Sequence, residues 1–381
     1  MIITLVLLLI NVYYTLAENI LSVDFLYKDS IPFIDLFFIN ENSHFIVSVN
    51  TYLNFTHVKE SDFKFTIPSQ IIEQTKVSLF RDYYGYSYCN DIQIKDKIIN
   101  KFYYLITNQD LVFNEDIGLS LSYKYKDEAY SLIHHLYHSK VINHLQFAFE
   151  IKQKGIDGFI YFGGIPNNTQ LTLPYKGICQ VNDNNSSSWG CPVHTITFNN
   201  NVYNINKYVL LHTGVNGYFL SDEVYKVFVN ILKEDIEKND CMEKKNSNNI
   251  KWIVCSNMIG PKTHKENITF EIGNFKMNIS INQLFECSFD QCESKVYSKH
   301  YALDRTNNTY IGIDFINLFN YSVFDYERKQ VVFYTDQFII EQSILLEQTK
   351  RGIIIQWICS SIIVLLILFI ILLLFTYKKI E

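Results

Sequence analysis

The chain has 381 residues and a formal net charge of −6, with 48% hydrophobic, 15% aromatic and only 19% charged residues. That length predicts two domains or two lobes rather than one. A mildly acidic balance with no basic run argues against nucleic acid as a partner.

Residues 1–17, "MIITLVLLLINVYYTLA", form a short apolar run closing on a small residue. This is the pattern of a cleaved secretory signal peptide, and it is too short for a membrane span. Behind it, "HFIVSVNTYLNF", "DFKFTI" and "DIQIKDKIINKFYYLI" group β-branched and aromatic residues between Asn, Asp and Gly, and read as strands. "EAYSLIHHLYHSKVI" reads as a helix, with Leu132, Ile133, Leu136, Tyr137, Val141 and Ile142 as its buried face. That face leaves His134, His135 and His138 mostly on the solvated side. His134 and His138 are spaced i, i+4, which suits a metal, but no H-E-x-x-H pattern accompanies them, and neither metal nor cofactor is expected.

"DGFIYFGG" returns to strand character. The run Val209-Leu210-Leu211 then ends in His212-Thr213-Gly214, and "SDEVYKVFVNILKEDIEK" follows as a second helix. Ser221 is its expected N-cap, with Asp222 and Glu223 in the first turn. "ITFEIGNFKMNISI" and "SVFDYERKQVVFYT" read as hairpins. Each half carries a strand, a turn and a hairpin-rich continuation, which hints at duplication.

Residues 353–376 carry no charge, and as a helix they would reach roughly 36 Å, enough for one tilted crossing. Basic pairs flank this run on both sides, so orientation follows from the signal peptide, giving a single-pass type I membrane protein. Lys378 and Lys379 occupy the fourth and third positions from the end. They resemble the dilysine retrieval signal of the endoplasmic reticulum. A secretory route makes N-glycosylation possible at Asn54, Asn167, Asn184, Asn185, Asn267, Asn278, Asn307 and Asn320. It also places Cys89, Cys179, Cys191, Cys241, Cys255, Cys287 and Cys292 in an oxidising compartment. Their odd number leaves at least one without an internal partner, and none has the spacing of a zinc site.

Four blocks, in order and spacing, resemble the pepsin-like aspartic proteases (peptidase family A1). They are Asp157–Ile165 ("DGFIYFGGI"), then Trp189 with "VHTITFNNNVYNI", then His212-Thr213-Gly214 where the family has Asp-Thr/Ser-Gly, and "TYIGIDFINLFNYSVFDYERKQVVFY". The first half is similar more weakly, through "DIGLSLSY" at 116–123 and "KVSLFRDYYGYSYCNDIQI" where the substrate-covering flap belongs, with Arg81 nearest the flap tyrosine's place. The resemblance implies a mostly β, bilobal pepsin-like fold, with N-terminal lobe 18–165 and C-terminal lobe 166–340; the residue pattern beyond it reads as juxtamembrane linker 341–352, transmembrane helix 353–376 and cytosolic tail 377–381. By spacing from the signal peptide and the flap, the first active-site loop is expected at about Pro68, Ser69 and Gln70. The resemblance also implies a C-terminal-lobe bridge, for which Cys255 with Cys287 or Cys292 fits. Cys179–Cys191, and Cys241 with a remaining partner, are further candidates, and Cys89 is the candidate odd thiol.

No Asp-Thr-Gly or Asp-Ser-Gly occurs in the chain. The family's chemistry needs two facing carboxylates that share a proton across one water. Each proton-transfer role is worth about 10²–10⁴ in rate. One imidazole without a facing acid does not rebuild that pair. The chain therefore reads as an inactive homologue that binds a polypeptide or partner protein in its cleft in the secretory pathway. The alternatives are an active aspartic endopeptidase with a divergent site, and a structural membrane glycoprotein.

Overall fold

In the computed structural model, the described residues are 19–28, 31–39, 43–51, 57–59, 73–78, 82–107, 116–119, 121, 131–153, 156–166, 173–181, 188–247, 249–256, 267–298, 309–337 and 339–342. The chain divides into two compact units, 1–340 and 341–381, and the elements below lie in the first. No helix among the described residues is long and apolar enough to cross a membrane. The expected span 353–376, Lys378 and Lys379, and the expected signal peptide lie outside the described residues, as do Asn54, Asn167, Asn184, Asn185 and Asn307.

The first half runs through strands β1 (Leu21–Lys28), β2 (Ile31–Phe38), β3 (Ser43–Asn50), β4 (His57–Lys59), β5 (Glu73–Ser78), β6 (Asp82–Ile94), β7 (Lys97–Thr107) and β8 (Asp116–Gly118). Helix α1 (Leu132–His138) then precedes β9 (Gln146–Gln153) and β10 (Asp157–Phe162). The second half continues with β11 (Tyr175–Gln180), β12 (Gly190–Phe198), β13 (Asn201–His212) and β14 (Tyr218–Leu220). Helices α2 (Asp222–Ile231) and α3 (Lys233–Glu237) lead to β15 (Cys241–Lys245), β16 (Lys251–Ser256), β17 (Asn267–Ile272), β18 (Phe275–Ser280), β19 (Phe285–Cys287) and β20 (Gln291–Ser298). Next come β21 (Thr309–Gly312), the single turn α4 (Ile313–Ile316), β22 (Tyr321–Asp325), β23 (Gln330–Thr335) and the short β24 (Ile340–Gln342).

The hint of duplication becomes a topological repeat. In the first half the strand order is β2-β3-β8-β4-β7-β6-β5; in the second it is β12-β13-β21-β14-β20-β16-β15. Both series place parallel pairs at the same two steps, β3 with β8 and β4 with β7, against β13 with β21 and β14 with β20. Between them runs β1-β10-β9-β22-β23-β11, an antiparallel sheet symmetric about its β9–β22 centre. Strand β22 is buried along its whole length, which is why "YSVFD" shows no apolar–polar alternation. Phe147 and Phe324 stack across that centre at 4.6 Å, and Trp189 meets the edge of Phe324 at 5.3 Å.

Local details depart from the sequence reading. Helix α1 is shorter than its apolar pattern, ending at Ser139 before Lys140 takes φ 57°. His134 lies on the buried side, its Nδ1 3.0 Å from Ser131 Oγ and its ring 5.4 Å from Tyr326. The expected solvated face therefore holds for exposed His138 and fails for His134, because Tyr326 packs over that side of a helix too short to keep a clean stripe. Ser221 takes the N-cap of α2, but its Oγ makes no cap bond; its amide instead donates to Thr309 Oγ1 at 3.2 Å.

The disulfides are Cys179–Cys191, Cys241–Cys255 and Cys287–Cys292, and Cys89 is the free cysteine among the described residues. The pairing of Cys255 with Cys287 or Cys292 is thus corrected. Antiparallel register sets Cys241 opposite Cys255 on β15–β16 and Cys287 opposite Cys292 on β19–β20, so each hairpin closes its own bridge.

Candidate functional site

Strand β13 alternates while its outer half faces solvent, then buries its last four residues, Val209 to His212, as it enters the core. It pairs in parallel with β21, so that His212 stands level with Gly312. The turn that follows passes so close to β21 that a Cβ on Gly312 would lie 2.3 Å from the Val215 carbonyl oxygen. Glycine is required there by contact with backbone that cannot move aside. The Gly312 amide donates to Gly217 O at 2.7 Å and the Ile313 amide to Val215 O at 3.0 Å, which fixes the loop. Asp314 locks it further: its Oδ2 accepts from the Gly217 amide at 2.7 Å and its Oδ1 from Lys295 Nζ at 2.7 Å.

The equivalent place in the first half is the end of β3, where parallel pairing with β8 sets Asn50 level with Gly118. Thr51 follows Asn50 as Thr213 follows His212. The two threonines are fully buried and grip each other reciprocally. The Thr51 amide donates to Thr213 Oγ1 at 3.0 Å, and the Thr213 amide donates to Thr51 Oγ1 at 3.1 Å. Each hydroxyl also donates across to the facing strand, Thr51 Oγ1 to Leu211 O at 2.8 Å and Thr213 Oγ1 to Val49 O. Both amides and both hydroxyls of the pair are thereby satisfied inside the core, where an orphaned one would cost about 1–3 kcal/mol.

This grip corrects the expected first loop. Pro68, Ser69 and Gln70 lie outside the described residues, whereas the loop that faces His212-Thr213-Gly214 begins with Asn50-Thr51. No aspartate marks this loop in the sequence, so spacing from the signal peptide and the flap points elsewhere. The usable signal was a likeness between the halves: the apolar-ended strands running into Asn50-Thr51 and His212-Thr213.

His212 is 2% exposed, with the Tyr310 ring edge-on at 6.1 Å. Burial pushes its pKa down to about 3, only partly offset by a backbone hydrogen bond. The Gly214 amide donates to Nδ1 at 3.2 Å, so that nitrogen carries a lone pair and the neutral ring bears its hydrogen on Nε2. At neutral pH the site therefore offers a neutral imidazole, beside a loop whose matching residue is the amide Asn50.

The remaining blocks converge behind the loops. Trp189 Nε1 donates to Leu119 O at 2.8 Å, and Tyr326 OH donates to the same oxygen at 2.9 Å. The Leu211 amide donates to Trp189 O at 2.9 Å. Thus the "DIGL" strand end, the tryptophan and the "VFDY" hairpin buttress the same corner. Among the described residues, no group of three or more His, Cys, Asp or Glu is placed to hold a metal ion.

No curated protein sequence matches the chain. Among solved structures, the aspartic proteinase from Irpex lacteus matches with a TM-score of 0.65 at 12% identity, covering 84% of this chain and 98% of that one. At such identity the likeness concerns the fold alone. A family model for eukaryotic aspartyl proteases matches residues 83–335, starting beyond the Asn50-Thr51 loop and including His212. Matched over well more than half its length, the chain belongs to the eukaryotic aspartyl protease family.

Proposed function

We propose that the chain is a catalytically inactive member of this family, whose cleft holds an extended polypeptide or a partner protein. The observation that carries this reading is the pair of residues at the two matched strand ends, Asn50 and His212. Family hydrolysis needs one carboxylate to take a proton from water and another to give one to the scissile carbonyl. An asparagine amide does neither. A buried imidazole with a pKa near 3 and Nδ1 already engaged is neither an acid at working pH nor half of a carboxylate pair. The threonine grip and the Asp314 brace keep the loops in place without the acids, which suits a retained binding groove in which backbone hydrogen bonds and side-chain pockets hold an extended chain. Incubation of the full chain with a diverse peptide library between pH 3 and 7 is expected to give no cleavage. Turnover abolished by a statine-type inhibitor would establish an active endopeptidase instead.

The same proposal places the protein in the early secretory pathway as a type I membrane protein. It is supported by the apolar run at 1–17, the uncharged run at 353–376 and the Lys378-Lys379 pair near the end. The three disulfides suit an oxidising compartment. Changing Lys378 and Lys379 to serine is expected to move the protein from the endoplasmic reticulum to the cell surface; an unchanged distribution would count against retrieval.

A further inference from the structure

Of the eight large apolar side chains exposed among the described residues, Leu26, Ile46 and Ile98 share one face of the first-half sheet, at 66%, 65% and 56% exposure. Strand register brings them together. Leu26 stands level with Phe33, Asp35 with Ile46, Phe37 with His44 and Gln93, and Gln93 with Ile98. Phe33, Asp35 and Phe37 alternate along β2, so all of these side chains point to one side. It is the side opposite Ile34, Leu36, Val47 and Val49, which are buried in the core. A sheet face turned to water ordinarily carries polar side chains, and apolar ones grouped there mark an interaction surface. The charges on this face come in both signs. Asp24 pairs with Lys95 at 3.3 Å, and Asp35 Oδ2 lies 3.1 Å from His44 Nδ1, all four side chains exposed. Lys28 leans over the Phe33 ring at 6.0 Å and has no ion-pair partner among the described residues.

We infer that this face joins a second copy of the chain in a weak two-fold dimer. The outward residues of β1 read Asp24, Leu26, Lys28, an acid, an apolar residue and a base at even spacing. Asp24 and Lys28 each lie about 7 Å along the strand from Leu26. A two-fold axis across the Leu26–Phe33 row therefore sets Leu26 against Leu26 and Lys28 of each copy against Asp24 of the other. An anionic lipid surface, or a partner of one sign, meets like charge at one end of the face; the same face turned on itself meets opposite charge at both. The face is smaller than an obligate interface needs, which suits a reversible dimer. It involves neither His212 nor the Asn50-Thr51 loop, and so goes beyond the reading of the cleft.

The test is oxidative cross-linking of the purified full chain at micromolar concentration in dilute digitonin. Cys89→Ser and Cys359→Ser first remove the two cysteines outside the three bridges. In that background Leu26→Cys, at the axis, is expected to give a disulfide-linked dimer with copper phenanthroline. Val202→Cys, on β13 and 59% exposed in the native chain, controls for random collision and is expected to stay monomeric. Lys28→Glu or Asp24→Lys, added to Leu26→Cys, sets like charges together at both ends and is expected to lower the cross-linked fraction roughly tenfold. Mixing those two variants, one with a larger tag, restores opposite charges at both ends and is expected to recover a mixed dimer. A Leu26→Cys yield no higher than that of Val202→Cys would overturn the inference, as would a yield indifferent to the charge reversals or not recovered on mixing. A monomeric Leu26→Cys chain whose thiol is instead shielded from maleimide by phosphatidylserine vesicles would assign the face to a lipid surface. None of these outcomes depends on whether the chain cleaves peptides.

Discussion

At the scale of the residue, His212 inverts the electrostatics of an aspartic protease site. A carboxylate pair sharing a proton is suited to acid, whereas a buried neutral imidazole is penalised by it. The folded chain binds the His212 proton only near pH 3, while the unfolded chain binds it near the ordinary histidine value of 6.5. Across that window the unfolded state holds more protons, so stability rises with pH and is lost on acidification, by at most about 1.4 kcal/mol per pH unit. His212→Gln keeps an acceptor within reach of the Gly214 amide and removes the titration. Its urea midpoint is expected to vary less than that of the wild type between pH 4 and 6.5. Equal slopes for both proteins would show that His212 does not control acid stability. The identity of His212 and of the Thr213-Gly214 turn was legible in the sequence because the family motif survives there in two of three residues. Thr51 was legible only through the faint likeness of its strand end to the one before Thr213, and its role is fixed by its hydroxyl's bond to Leu211 O.

At the scale of the element, strand register decides what the cysteines do. Cys241 faces Cys255 on one hairpin, Cys255 is level with Cys292 on the next strand, and Cys292 faces Cys287, so four cysteines form a row across four strands. Each bridge lies within its own hairpin, spanning 14 and 5 residues. Non-reducing peptide mapping is expected to recover Cys241–Cys255 and Cys287–Cys292; a Cys255–Cys292 link as the native species would contradict the register. Loop-closure entropy gives about 3 kcal/mol for the longer bridge and about 2 kcal/mol for the shorter. Replacing Cys287 and Cys292 by serine is therefore expected to lower the denaturation midpoint less than replacing Cys241 and Cys255. Most strands were legible from β-branched and aromatic alternation, as in "ITFEIGNFKMNISI", which forms β17 and β18 around Gly273. Pairing was not, since a strand's residues fix which faces are apolar but not which neighbour covers them.

At the scale of the whole molecule, two series of strands with one topology bring two loops together, and the threonine grip joins them whatever residue stands before each threonine. Because that framework does not rest on the acids, Asn50→Asp combined with His212→Asp is expected to create acid-dependent, statine-sensitive peptide cleavage. Neither single change is expected to do so, because one carboxylate has no partner with which to share a proton. Comparable activity in a single variant would show that another group already serves as the partner. The sequence by itself determined the mostly β character, the family resemblance of the second half, the missing Asp-Thr-Gly motifs and the apolar runs at both ends; these follow from local residue pattern. Only the tertiary structure decided that Asn50-Thr51 is the partner loop, that His212 is buried and neutral, and how the cysteines pair. Each of these depends on contacts between residues far apart in the chain, where burial and register, not local pattern, set the chemistry.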